Sequence, residues 1–355
     1  MSLRRWTAIA VAGGVVLAGC GSSHHKAAPT TTLAPTTLAP TTLAPTTTTA
    51  PAVFPLTGEP AGAAATLHRP ALVVKIDNVD AARPQTGVGS ADVVYEEMVE
   101  GGVTRLAAVF QSVDAGPLGP VRSGRSTDIA IVSDLNHPLF GFSGANSIFL
   151  AEIRAAPIID VDAEKESSAQ YYRMGPHAAP HNLYTSTKAL YGLARGAANA
   201  PPPLFAYRAA GAPVTAAGAT PAVHVQIGWP QASVTWDWNA PTGTWFRGQN
   251  GTADVDTTGY RLQAANVVIQ FVNYTTDGVA SGEGIAPEPI PKGKLVDSGQ
   301  VFILTGGRLV KGTWSRPAIG DVTTYTDSAG HAIQLAPGRT WVELPPVGTI
   351  PQITP

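Results

Sequence analysis

Cysteine is almost missing from this chain of 355 residues, in which Cys20 is the single thiol. One thiol cannot form an internal disulfide or a cysteine-based metal centre. The sequence also contains no phosphate-binding Walker loop, dinucleotide fingerprint or zinc-protease motif. We therefore expect no metal and no other cofactor.

Charge is scarce as well. Only 14% of the residues are charged, and the 23 basic and 25 acidic side chains leave a net charge of −2. Proteins that bind nucleic acid present a basic face, so this balance argues against a nucleic-acid partner. Beyond the amino terminus, no apolar run approaches the ~20 residues that a membrane-spanning helix needs.

The amino terminus is typical of an exported lipoprotein. Arg4 and Arg5 precede a short apolar run at 7–16, and the order Leu-Ala-Gly-Cys follows at 17–20. This pattern predicts a signal peptide at residues 1–19 and a diacylated, palmitate-bearing Cys20. A cleaved signal without lipid is the alternative. Two acyl chains hold a protein stably on a bilayer, so we expect an anchor at the extracytoplasmic face of the bacterial cell membrane.

Residues 20–60 predict a disordered tether. Three copies of Thr-Thr-Leu-Ala-Pro follow one another at 31–45, and the segment carries almost no charge. Such a composition cannot bury enough surface to offset the entropy of ordering. Regularly spaced proline favours an extended chain of ~3.1 Å per residue. The tether would therefore hold the folded part away from the lipid.

Beyond the tether, the sequence predicts two domains. An α/β or α+β domain is expected at residues 61–208 and a mostly-β domain at 222–350, joined by an Ala/Gly/Pro-rich linker at 209–221. In the first domain, interleaved strands and helices favour helices packed on a sheet, with Ser126 as one helix cap. The predicted strands are 71–76, 91–97, 104–110 and 139–142, and the predicted helices are 127–135, 146–154 and 187–193.

The second domain shows alternating apolar patterns and turn signals. Asn250-Gly251 is the strongest hairpin signal in the chain. The pattern does not distinguish a sandwich from a barrel. The predicted strands are 223–227, 234–238, 244–247, 266–274, 299–304, 308–314 and 340–344.

Three groups of polar residues have the chemistry of a functional site. The first group contains Arg122, Ser123 and Arg125, directly before a predicted helix. Backbone N–H groups at a helix start, together with guanidinium and hydroxyl groups, predict an anion site. The alternative is that these arginines are solvated charges of a turn or partners of nearby carboxylates.

The second group lies on and after the predicted strand at 91–97 and contains Glu96, Glu97, Glu100 and Arg105. Neighbouring residues on a strand face opposite sides, so Glu96 and Glu97 are not expected in one cleft. A buried carboxylate here would be an ion-pair brace or a general acid, and the brace is the preferred interpretation.

The third group, at 177–186, contains His181, Asn182 and Tyr184. His181 would be a ligand donor or a general base, or would simply bridge a loop to a strand. The sequence around Ser143 nearly spells a nucleophile elbow but lacks its last glycine, which disfavours a Ser143–His181 hydrolase. All three groups lie on or next to loops that precede helices or follow strands, so we expect them to meet.

Several motifs of the chain also resemble a known family. The chain is similar to the YerB-like bacterial lipoproteins, whose two-part domain is called DUF3048, over nearly all of residues 70–346. The resemblance implies an envelope lipoprotein with an α/β-type domain followed by a C-terminal domain, and it implies no reaction. The motifs that carry it lie at 82–87, 91–105, 119–123, 179–185, 266–270, 312–314 and 335–341.

Two functions fit these observations. The preferred one is a non-catalytic envelope protein that binds a cell-wall glycan or an anionic polymer, with tryptophan side chains either stacking on sugar or packing in the core. The alternative is a cell-wall hydrolase with Glu96 or Glu97 as the acid and His181 as the base. The residues expected to bind the ligand are Arg83, Gln85, Arg122, Ser123, Arg125, His181, Asn182 and Tyr184.

Overall fold

The computed structural model describes residues 52–196, 198–282 and 285–355, apart from the side chains of 280–287. The predicted signal peptide, the lipidation at Cys20 and most of the predicted tether lie outside the described residues. Residues 52–60 were expected to belong to the tether, but they are folded. Leu56 is fully buried, and its carbonyl accepts a hydrogen bond from the hydroxyl of Tyr207.

The first half of the folded region alternates strands with short helices, as the sequence predicts. Four short 3₁₀ helices, at Ala65–His68, Asp80–Ala82, Val88–Ser90 and Glu100–Gly102, accompany these elements. The strands and α-helices are β1 (Leu72–Asp77), β2 (Val93–Met98), β3 (Thr104–Phe110), α1 (Ser126–Ser133), β4 (Leu139–Gly141), α2 (Ser147–Ala155), β5 (Ile159–Asp160), β6 (Tyr172–Arg173), β7 (Leu183–Tyr184), α3 (Thr187–Tyr191) and β8 (Ala206–Tyr207).

Helix α1 differs from the prediction at its cap. Arg125 is the N-cap residue, not Ser126, because the carboxylate of Asp128 accepts a hydrogen bond from the backbone N–H of Arg125 at 2.7 Å. The hydroxyl of Ser126 is buried and has no hydrogen-bond partner among the described residues. Helix α2 has the expected cap, since the side chain of Asn146 accepts a hydrogen bond from the N–H of Ile148.

The second half is almost entirely β, which confirms the predicted fold class. The predicted strand at 266–274 is divided, because the chain leaves its sheet at Phe271, whose carbonyl accepts a hydrogen bond from the indole of Trp314. The strands are β9 (Thr220–Pro221), β10 (His224–Trp229), β11 (Ala232–Asn239), β12 (Thr244–Gln249), β13 (Thr252–Ala253), β14 (Gln263–Ala264), β15 (Asn266–Gln270), β16 (Tyr274–Gly282), β17 (Ile285–Gly293), β18 (Asp297–Thr305), β19 (Arg308–Arg316), β20 (Thr324–Asp327), β21 (Gln334–Leu335), β22 (Thr340–Glu343) and β23 (Gln352–Thr354).

A large mixed sheet forms the centre of the fold. Its order is β20-β19-β18-β15-β22-β2-β3-β1-β4-β5, with β9 beside β19. Strands β15, β22, β2, β1, β4 and β5 all run in one direction, as the pairing of their neighbours shows. Their carboxyl ends therefore lie at one edge of the sheet, which is where α/β proteins usually place ligands.

The two halves of the chain share this sheet. Strand β2 of the first half pairs in parallel with β22 of the second, from Val93 opposite Thr340 to Glu96 opposite Glu343. The described residues from 52 to 355 consequently form one compact unit. The predicted boundaries at 208 and 222 stay a prediction, but the hydrogen-bonded core extends across them.

A second sheet, in the order β13-β12-β11-β10-β23 with β14 beside β12, packs on one face of the first. Trp236 of β11 contacts Trp341 of β22 at 5.4 Å between ring centroids, and its indole donates a hydrogen bond to Glu343. Trp236, Trp245 and Trp314 are almost fully buried, so these tryptophans pack in the core. Among the described residues, no helix is long and apolar enough to cross a membrane.

Candidate functional site

Asp77 is the centre of a polar cluster at the carboxyl edge of the large sheet. It ends strand β1, and its side chain is 1% exposed. Its Oδ2 atom lies 2.7 Å from Nδ1 of His181 and 3.0 Å from Nε of Arg122. The contact with Arg122 is an ion pair whose angle does not meet hydrogen-bond geometry. The first and third sequence groups therefore meet at one carboxylate oxygen.

Backbone hydrogen bonds hold the two loops of this cluster against β1. The N–H of Arg122 donates to the carbonyl of Lys75 at 2.8 Å, and the N–H of Val121 donates to Leu183 at 2.6 Å. A side chain at Gly119 would meet the carbonyl of Leu183 and the ring of Tyr184, both at 2.8 Å. Glycine is required there because the two loops approach so closely.

Two further arginines join the cluster. Arg105 lies near the start of β3, and its side chain donates a hydrogen bond to the carbonyl of Ser123 at 3.0 Å. Arg125 forms an ion pair with Glu100 at 2.7 Å. Burial, followed by the positive charges of Arg125 and Arg122, lowers the pKa of Arg105 to about 9. Of the second sequence group, Glu100 and Arg105 therefore lie beside the first and third groups, whereas Glu96 and Glu97 do not.

Positive charge is in excess here. Asp77, Glu100, Arg105, Arg122, Arg125 and His181 together form what we call the Asp77 cluster. It contains three guanidinium groups and two carboxylates, so it carries positive charge even when His181 is neutral. Such a cluster can hold an anion, because guanidinium groups form strong charge-assisted hydrogen bonds with phosphate and carboxylate.

Arg122 is the accessible cation of the Asp77 cluster. Its side chain is 26% exposed and that of His181 is 23% exposed, whereas those of Arg125 and Asp77 are 10% and 1% exposed. Within the part of the chain that the structure describes, the two terminal nitrogens of Arg122 make no hydrogen bond. These donors are free for a ligand.

A different arrangement surrounds Glu97. Its carboxylate and that of Asp128 both contact the ammonium group of Lys75, and all three side chains are fully buried. Burial, and then the nearby charge of Asp128, raises the pKa of Glu97 to about 7, although Lys75 opposes the shift. Glu97 is thus an internal ion-pair partner.

Glu96 points to the opposite face of β2, as the period of a strand predicts. There it contacts Arg247 of the second sheet at 2.6 Å, and Arg247 also contacts Asp254. The side chains of Glu96 and Arg247 are fully buried. We call Glu96, Glu97, Lys75, Asp128, Arg247 and Asp254 the buried ion-pair network. Both glutamates fit the brace interpretation.

The other residues expected to bind ligand lie around the Asp77 cluster or away from it. The side chain of Gln85 is buried and donates to the carbonyl of Asp77 and to Asn78. Tyr184 is 1% exposed. Asn182 is half-buried and accepts a hydrogen bond from Arg173 at 2.6 Å. Arg83 pairs with Asp254 at 2.9 Å and is therefore separate from the cluster.

The predicted site residues do not include three residues that organise these contacts, namely Asp77, Lys75 and Arg247. Signals for two of them were present. Lys75 interrupts an apolar β-branched run, and a lysine in a buried strand needs a partner. Asp77 directly follows that run, at the carboxyl end of a strand where polar site residues collect. Arg247 gave no comparable signal, because its strand reads as an ordinary half-buried hairpin.

Neither a metal centre nor a serine triad is evident in the described residues. No group of three or more His, Cys, Asp or Glu side chains is arranged to hold a metal ion among them. The backbone N–H of Ser143 donates to the carbonyl of Arg122, which places Ser143 beside the Asp77 cluster, but its hydroxyl makes no hydrogen bond to any described residue.

Known proteins with similar sequences and structures extend this description. Residues 56–199 match the family described as "Protein of unknown function (DUF3048) N-terminal domain", and residues 223–342 match the DUF3048 C-terminal domain. A curated relative, "Putative lipoprotein YerB" of Bacillus subtilis (strain 168), is 32% identical over 132 residues, or 37% of this chain. That alignment covers 39% of the relative, which is well under two thirds of its length.

The crystal structure of the YerB protein from Bacillus subtilis has the same fold. It matches with a TM-score of 0.69 at 20% identity, covering 86% of this chain and 100% of that chain. The fold class predicted from the sequence is thereby confirmed, and so is the resemblance on which the lipoprotein expectation partly depends. With both of its domains matched in order, this chain belongs to the DUF3048 family.

Proposed function

We propose that this protein is a lipid-anchored component of the bacterial cell envelope that binds an anionic ligand, such as a phosphate-bearing wall polymer, at the Asp77 cluster. The name of its Bacillus relative, "Putative lipoprotein YerB", supports the proposal that this chain is a lipoprotein. The Leu-Ala-Gly-Cys sequence at 17–20 supports Cys20 as the lipidated residue and the extracytoplasmic face of the membrane as its location.

The free terminal nitrogens of Arg122 are the observation that carries the binding proposal. In the buried ion-pair network, each charged side chain contacts a group of opposite charge. In the Asp77 cluster, one guanidinium is oriented by a buried carboxylate and still presents donors to solvent. Asp77 also orients the ring of His181, which becomes a second donor or acceptor beside Arg122.

Binding can be tested by calorimetric titration of the full chain with inorganic tripolyphosphate at two salt concentrations. We expect saturable binding that weakens with salt, and a loss of about tenfold or more in Arg122→Gln. Arg122→Lys should lie between them, because an ammonium group lacks the bidentate geometry of guanidinium.

The matched control is Arg261→Gln, which removes the same charge from a side chain of comparable exposure, 33%. Its affinity should stay within about twofold of the unmodified protein, because long-range charge is screened at physiological salt. Absence of saturable binding, or an equal loss in both variants, would refute the proposed site. The anchor has a separate test, since Cys20→Ser should lose labelled palmitate and leave the membrane fraction.

A cell-wall hydrolase is the second candidate, and one contact favours it. The carboxylate of Asp77 at 2.7 Å from Nδ1 of His181 leaves Nε2 of that ring for a general-base role. The proposed acids are poorly suited, because Glu96 and Glu97 are fully buried in ion pairs on opposite faces of β2. Release of reducing sugar or free amine from purified cell walls, lost in His181→Asn, would favour the hydrolase.

A further inference from the structure

A cavity of about 500 Å³ lies at the opposite, amino-terminal edge of the large sheet. Ser90 precedes β2, Arg339 precedes β22 and Asp114 follows β3, so three neighbouring strands supply its wall. Asp256 and Tyr260 close it from the loop between β13 and β14 of the second sheet. The volume is within the range of ~300–1,000 Å³ that is usual for small-molecule sites.

Arg339 is the cation of this cavity. The side chain is partly buried and its Nε atom is fully buried. No described residue forms a hydrogen bond or an ion pair with its guanidinium. Burial raises the pKa of the nearby Asp92, and the charge of Arg339 opposes that shift. The terminal nitrogens of this guanidinium are the donors that a ligand in the cavity would meet, and the ligand would supply the acceptors that the described residues do not.

Asp256 supplies a free acceptor. Its Oδ1 atom accepts hydrogen bonds from the backbone N–H groups of Thr258 and Tyr260, at 2.8 and 3.1 Å, and from the Thr258 hydroxyl at 2.6 Å. Its Oδ2 atom has no partner among the described residues. The turn therefore fixes the carboxylate and leaves one oxygen available.

Tyr260 supplies an aromatic surface. Its side chain is 37% exposed, and its hydroxyl accepts a hydrogen bond from Gln263 at 2.7 Å. A side chain at Gly89 would approach the ring to 2.8 Å, so glycine allows the ring to lie against that loop. The ring is held from one side while part of it stays open to solvent, as stacking on an apolar sugar face requires.

The charges of the cavity balance. Asp114 already pairs with Arg69 at 2.7 Å, which leaves one carboxylate, Asp256, and one guanidinium, Arg339. A ligand that both donates and accepts hydrogen bonds without net charge satisfies Arg339 and Asp256 together. From this combination we propose that the Arg339 cavity, lined by Ser90, Asp114, Asp256, Tyr260 and Arg339, binds a neutral saccharide.

This proposal is independent of the anion site. None of the residues of the Asp77 cluster lines the Arg339 cavity. The two sites lie at opposite edges of one sheet, so either can exist without the other, and separate variants can distinguish them.

The test is calorimetric titration of the full chain with two neutral tetrasaccharides, chitotetraose and maltotetraose, and with the acidic tetragalacturonate. We expect saturable binding of at least one neutral probe and weaker binding of the acidic one. Arg339→Gln and Asp256→Asn should each weaken the neutral probe about tenfold or more, because each removes a hydrogen bond of a charged group. Arg122→Gln should leave this affinity within twofold.

Arg308→Gln is the matched control, because Arg308 also has a buried Nε without a partner but does not line the cavity. The proposal is overturned when neither neutral probe binds, when tetragalacturonate binds more tightly than both, or when Arg308→Gln weakens binding as much as Arg339→Gln. Urea unfolding checks that each variant is folded. If Arg339→Gln does not fold, Asp256→Asn alone decides the outcome.

Discussion

The Asp77 cluster and the buried ion-pair network lie side by side at one edge of the sheet, but their charged groups differ in exposure to solvent. Lys75 and Asp77 are two residues apart on β1. Lys75 is fully enclosed with Glu97 and Asp128, whereas Asp77 is overlaid by the partly exposed Arg122 and His181. The first arrangement encloses each charged group beside a group of opposite charge, and the second presents charge to solvent.

The difference indicates which charged motif residues serve stability and which are free for a ligand. A buried charge that loses its partner is strongly destabilising. A charge at the surface contributes little to stability because water screens it. An arginine that is both accessible and short of partners, such as Arg122, is therefore the best candidate for binding.

Truncation of Arg247 should produce the largest loss of stability among the variants that test this comparison. Arg247→Ala leaves the buried Glu96 without a cation and Asp254 with Arg83 as its remaining partner. It also removes the guanidinium that lies 4.7 Å from the ring of Trp341. We expect a loss of ~3–5 kcal/mol in the free energy of unfolding, measured in urea. Arg261→Ala, a partly exposed arginine, should lose ~1 kcal/mol or less. Equal losses in the two variants would contradict the distinction.

Removal of the buried ammonium group of Lys75 should produce the second-largest loss of stability. Lys75→Met keeps the apolar stem but leaves Glu97 and Asp128 without a cation. We expect a loss of ~3 kcal/mol at neutral pH, with part of it recovered at pH 5, where Glu97 is protonated. Lys292→Met serves as the control, because its partners Glu152 and Asp277 are partly exposed. A loss below ~1 kcal/mol in the free energy of unfolding of Lys75→Met would show that Glu97 and Asp128 do not depend on this buried cation.

The pH dependence of stability sharpens the comparison further. Burial raises the pKa of Glu97 from 4.5 to about 7, so the folded state binds more protons than the unfolded state between these values. Stability contributed by this group is complete below about pH 4.5 and is lost as the pH rises through about 7. We expect a decline of ~1–3 kcal/mol over that window, measured by unfolding at several pH values.

Glu97→Gln should reduce this decline by about half, because glutamine does not titrate. The remaining slope should come from Asp134, because burial raises its pKa to about 7 as well, against the opposing charge of Arg316. A decline as steep in Glu97→Gln as in the unmodified protein would assign the pH dependence to other groups.

Arg122→Ala should produce the smallest change in stability. Asp77 keeps its contact with His181 at 2.7 Å, and Arg122 is partly solvated. We expect a loss of ~1 kcal/mol or less in urea, while anion binding is lost. A loss of ~3 kcal/mol or more would mean that Arg122 completes a buried ion pair. The Asp77 cluster would then belong with the buried network, and the binding proposal would lose its central residue.

The sequence by itself determined the local features of this protein. Apolar runs and capping residues located β1, β2, β3 and α2 to within a residue or two, because strand and helix periods depend on neighbours along the chain. The period of two along β2 also placed Glu96 and Glu97 on opposite faces. The Leu-Ala-Gly-Cys sequence at 17–20 and the motifs shared with the DUF3048 family indicated the family without any structural information.

The partners of the charged residues were decided only by the tertiary structure. Arg247 contacts Glu96 across 151 positions of sequence, and His181 contacts Asp77 across 104. The parallel pairing of β2 with β22 joins the two predicted domains in one sheet. Strand order brings such residues together, and no local pattern encodes it. The sequence therefore identified the residues with site chemistry, and the fold decided which of them are enclosed in pairs and which can meet a ligand.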